Sequence, residues 1–97
     1  MDLQAFRASV DGPRPPEGLD LAVQALWWAA KGEWDKAHEC AQAQDDEIGA
    51  WVHAHLHRIE GDNGNAGYWY RRAGKPASAA PLEEEWADIA GALLAAK

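Results

Sequence analysis

The stretch "LDLAVQALWWAAK", residues 19–31, is apolar on nearly every side of a helix and leaves only Asp20, Gln24 and Lys31 as a narrow polar stripe. A helix of this kind cannot lie on a surface, so the rest of the chain has to supply the elements that cover it. At 97 residues there is room for one domain around a single core and none for a second. No strict apolar/polar alternation is sustained anywhere, and alanine, leucine, glutamate and glutamine dominate outside the glycine and proline clusters. The expected fold class is therefore all-α.

Punctuation residues divide the remainder. Asp2 is placed to cap a short first helix with apolar positions at Leu3, Phe6 and Val10, and "DGPRPPEG" then forms a stiff, extended connector. Gly32 ends the central helix, and "EWDKAHECAQAQ" puts Trp34, Ala37, His38 and Ala41 on one side of an antiparallel partner, closing a first hairpin over 19–44. Asp45 is expected to cap the next helix, which runs to about Glu60. "EGDNGN" then supplies a stop and a fresh cap for "AGYWYRRAG", making a second hairpin over 45–76. A last helix over 80–97 opens at Pro81 with three glutamates at its positive end. Its residues Leu82, Trp86, Ile89 and Leu93 recur on one face, which invites a homodimer contact.

The segments "AAKGEWDKAHECAQ" and "RIEGDNGNAGYWYRRA" repeat one another: Gly32 to Gly61 and Ala37 to Ala66 are both 29 residues apart. "GEWDKA" resembles the turn and second-helix start of a tetratricopeptide repeat, and "NAGYWYRRAG" is similar to the second helix of the related SEL-type repeats. The resemblance covers 19–76. Ala25 and Ala54 match the small residue of the first helix, and Ala37 and Ala66 the alanine of the second. The chain departs from the pattern at Ala41, where a large residue is usual and Tyr70 supplies one in the second copy, and in having its only closing proline at Pro76. The resemblance implies two antiparallel hairpins flanked by short terminal helices, in a single helical-repeat domain over 1–97 that binds a protein or peptide.

A net charge of −7 repels phosphate backbones and anionic lipid, so generic nucleic-acid or membrane-surface binding is not expected, although Tyr68, Trp69, Tyr70, Arg71 and Arg72 interleave aromatics with arginines. On a helix that run divides into a packing side and a solvated edge. The lone cysteine, Cys40, and an N-terminus with no signal-peptide pattern lead to the expectation of a cytoplasmic protein. No nucleophile elbow, phosphate-cradling glycine loop or paired-cysteine signature is present, and no catalytic residue is assigned.

"WVHAHLHRIEGD", residues 51–62, carries the remaining chemistry. At 100° per residue His53, His57 and Glu60 share an edge of the helix, whereas His55 points the opposite way. Two imidazoles and a carboxylate can hold zinc with a position left for water. The alternative is a hairpin seam in which both rings donate to neighbouring carbonyls and Glu60 pairs with Arg71 or Arg72. In the repeat register Trp51, His55 and Arg58 turn to the inner face that tetratricopeptide-like proteins use for ligands, a row suited to an acidic or C-terminal peptide. Against this stands burial of the same row under the terminal helices.

Overall fold

The computed structural model describes residues 1–96, and among them the chain is entirely helical: α1 (Leu3–Ser9), α2 (Leu21–Lys31), α3 (Trp34–Ala43), α4 (Glu47–Ile59), α5 (Asn63–Ala73) and α6 (Leu82–Ala95). The helix that is apolar on every side is the centre. Ala22, Val23, Ala25, Leu26 and Trp27 of α2 are buried, with α3, α4 and α6 packed against them.

Local chemistry sets the element ends. The Asp2 carboxylate accepts from Ala5 N at 2.8 Å to start α1, and Asp62 caps α5 by accepting from Asn65 N. The cap of α4 is Asp46, which accepts from Gly49 N at 2.8 Å, and not the expected Asp45, which is exposed one residue upstream. The shift follows from Gln44. Its side-chain oxygen turns away to accept from Ala22 N at 2.7 Å, tying the end of α3 to the start of α2, while its amide leans on the Asp46 carboxylate. Gly49 is compulsory in this arrangement, because a Cβ there would lie 1.8 Å from the Gln44 carbonyl oxygen. Gly32 and Gly61, at φ 83° and 81°, close α2 and α4 in the left-handed conformation that β-carbons disfavour.

The terminal helices complete the core. Phe6 of α1 stacks on Trp86 of α6 with ring centroids 5.6 Å apart, and Trp86 Nε1 donates to the Leu26 carbonyl at 2.8 Å. Trp27 Nε1 donates to Ser9 Oγ at 3.0 Å, so both buried indoles have partners. The face of α6 read as a homodimer surface is thus used inside the chain: Trp86, Ile89 and Leu93 are buried in the core and only Leu82 reaches the surface. A smaller cluster of Ala54, Ala66 and Tyr70 joins α4 to α5. No helix among the described residues is long and apolar enough to cross a membrane.

Candidate metal centre

The two groups of residues on α4 meet different surroundings. On one side, His53 and His57 stack with ring centroids 4.8 Å apart, and His38 of α3 comes edge-on to both at 5.7 and 5.8 Å. One ligating atom from each of His38, His53 and His57 lies within 4.8 Å of the others. Glu60 does not reach Arg71 or Arg72; its carboxylate sits 2.7 Å from His38 Nε2. Of the predicted set, His53 and His57 converge with a third imidazole, His38, while Glu60 meets only His38 and stands outside the cluster.

The hydrogen bonding of the three rings is uneven. His38 Nδ1 donates to the Trp34 carbonyl at 3.1 Å, one helical turn back, which orients the ring with Nε2 towards Glu60. His53 is buried, stacks on Trp69 with centroids 4.0 Å apart, and makes no hydrogen bond with any described residue. His57 Nδ1 is buried and has no hydrogen-bond partner; the Asp62 carboxylate stops 4.0 Å away. The expected seam of satisfied N–H donors is thus absent for two of the three rings. Burial, followed by the neighbouring His57 and His38, pulls the His53 pKa down to about 4, so that ring is neutral at ordinary pH with its lone pair available. A buried polar atom without a partner costs about 1–3 kcal/mol, and His57 Nδ1 carries that cost here.

Such a donor set suits a borderline-soft divalent ion. Zinc takes imidazole at about 2.0–2.1 Å and carboxylate at about 2.0–2.2 Å, which places tetrahedral donors about 3.3–3.4 Å apart, within rotamer adjustment of the spacing here. His38, His53 and His57 would supply three nitrogens, and Glu60 lies beside the first of them as a fourth donor. The site bridges two helices joined only by the short 44–46 segment, and His38 and Glu60 form its open side, at 24% and 38% side-chain exposure.

Comparison with protein-family models, with curated proteins and with solved structures returns no match for this chain. The site has to be read from its own geometry.

On the opposite side of α4 the row Trp51, His55 and Arg58 is turned inward and held by α6. His55 is 1% exposed, and its Nδ1 donates to Glu85 Oε1 at 2.7 Å. Arg58 donates to the same oxygen at 2.8 Å and to the Ala80 carbonyl at 2.7 Å, and Tyr70 of α5 gives its hydroxyl proton to Glu85 Oε2. Trp51 is half-buried, with the Lys75 ammonium 4.3 Å over its ring. Within this row only His55 is buried, Trp51 and Arg58 being half-buried, and His55 and Arg58 face a carboxylate of the same chain. Glu85 itself had been read as one of three glutamates complementing the helix dipole. Burial alone would raise its pKa, but the hydrogen bonds from His55, Tyr70 and Arg58 outweigh burial and hold it at about 2. Tyr70 is pushed up, by burial first and then by its bond to Glu85.

Proposed function

We propose that this chain is a small helical protein that binds a divalent transition metal of the zinc class through His38, His53 and His57, with Glu60 as the fourth donor. The observation that carries the reading is the convergence of three imidazoles from two helices, with His53 buried and the Nδ1 atom of the half-buried His57 lacking a hydrogen-bond partner. A metal ion would satisfy those nitrogens, with Glu60, whose carboxylate lies 2.7 Å from His38 Nε2, placed to balance its charge. The helix pairs α2–α3 and α4–α5 we read as two hairpins of tetratricopeptide-like type, supported by the burial of Ala25, Ala37, Ala54 and Ala66 where paired helices cross. In this reading the hairpins serve as a frame for the metal, because the row that would bind a peptide is occupied by Glu85.

The test is metal analysis and calorimetric titration of untagged protein with zinc chloride after chelator treatment. One equivalent should bind, and at a hundredfold excess over Kd the stabilisation is about 2.7 kcal/mol, which raises Tm by about 10 °C or more in a domain of this size. His38→Ala and His57→Ala should each abolish the shift. Zinc that fails to bind, or that binds His38→Ala as tightly as the parent, would refute the assignment.

A further inference from the structure

A cleft of about 390 Å³ lies away from the histidine triad, between α1, α2, α4 and α6. Its walls are mainly apolar, formed by Val10, Ala30, Ile59, Leu82 and Trp86, and its size is that of a small-molecule site. One polar side chain reaches it from the interior, and that is His55. Its Nδ1 is committed to Glu85, which is not part of the cleft wall, so the opposite ring edge carrying Nε2 is the one turned to the cleft. With Nδ1 bonded to a carboxylate, Nε2 is the ring nitrogen left for a ligand, and no described residue hydrogen-bonds to it. The rim holds the Arg7 guanidinium, 5.5 Å over the Trp86 ring, together with the carboxylates of Asp11 and Glu83. One cation against two anions, on a chain of charge −7, disfavours an anionic occupant.

We propose that this cleft binds a small, uncharged, apolar-bodied molecule bearing one hydroxyl group, which hydrogen-bonds with His55 Nε2. The geometry resembles other ligand pockets in pairing apolar walls with a single fixed polar atom. Glu85 is the positioning residue: it holds the ring through Nδ1, and Arg58 and Tyr70 hold Glu85 in turn. The site is independent of the metal centre, since His55 points away from His53 and His57.

Phenol and toluene are the probes, sharing one apolar body with and without a donor, titrated to millimolar levels into chelator-treated protein. The readout is the ¹⁵N resonance of His55 Nε2. Phenol should shift it saturably and bind about tenfold more tightly than toluene, the difference expected of one buried hydrogen bond. Ala30→Phe, at an exposed position on the cleft wall, should abolish both responses while the Trp86 indole N–H resonance, a reporter of its bond to Leu26, stays in place. The proposal is overturned if phenol produces no saturable shift, if toluene binds as tightly as phenol, or if Ala30→Phe still binds.

Discussion

Replacing Glu85 by glutamine keeps the shape of the side chain and removes its charge, which isolates what ionisation contributes to holding α6. Glu85 is 4% exposed and its pKa falls from an ordinary 4.5 to about 2 in the folded protein. At about 1.4 kcal/mol for each tenfold change in acid strength, the carboxylate contributes about 3 kcal/mol of stability. Because the folded pKa is the depressed one, this stability is fully present above pH 4.5 and is lost as pH falls towards 2. Urea denaturation of parent and Glu85→Gln proteins at pH 6, 4 and 3 should therefore show a difference of about 3 kcal/mol at pH 6 that narrows to about 1.5 kcal/mol at pH 3. Other carboxylates titrate alike in both proteins and cancel. A difference that stays constant across this range, or one below about 1 kcal/mol at pH 6, would refute the picture of an ionised hub shared by His55, Arg58 and Tyr70.

Two further outcomes follow from other parts of the molecule. His53 has its pKa lowered from 6.5 to about 4, so the unfolded chain takes up its proton first as pH falls; metal-free protein should lose up to about 3 kcal/mol between those values, and a His53→Leu variant, whose denaturation curves are compared across the same range, should lack that slope. Gly49→Ala drives a Cβ to 1.8 Å from the backbone oxygen of Gln44 and should lower Tm by about 5 °C or more in a thermal scan, whereas Gly64→Ala, whose Cβ meets nothing closer than 4.0 Å, should be neutral or slightly stabilising.

The helices were legible because their signals are local. The nearly unbroken apolar surface of α2 demanded a central position, Asp2 announced one helix start, Gly32 one stop, and "EGDNGN" both a stop and a start. Asp45 was misjudged because two adjacent aspartates offer the same chemistry, and the choice falls to Gln44, whose engagement with α2 is a long-range fact. The site was half legible for the same reason. The i, i+4 spacing of His53 and His57 can be read along one helix, but their meeting with His38 depends on how α3 lies across α4. The usable signal was that His38 shares the inward side of α3 with Ala37 and Ala41, so an imidazole there must face something. Glu85 left a similar trace: it falls on the same side of α6 as Ile89, one turn ahead of it, while Glu83 and Glu84 remain exposed.

The two ties between α6 and the rest of the chain also order events in time. Trp86 reaches back to the Leu26 carbonyl and Glu85 to His55, Arg58 and Tyr70, so contacts that finish the interior span up to 60 residues. Until α6 docks, the arginine, histidine and tyrosine of α4 and α5 lack the carboxylate they share in the folded chain, and the apolar surface of α2 that Trp86 covers stays open to chaperones.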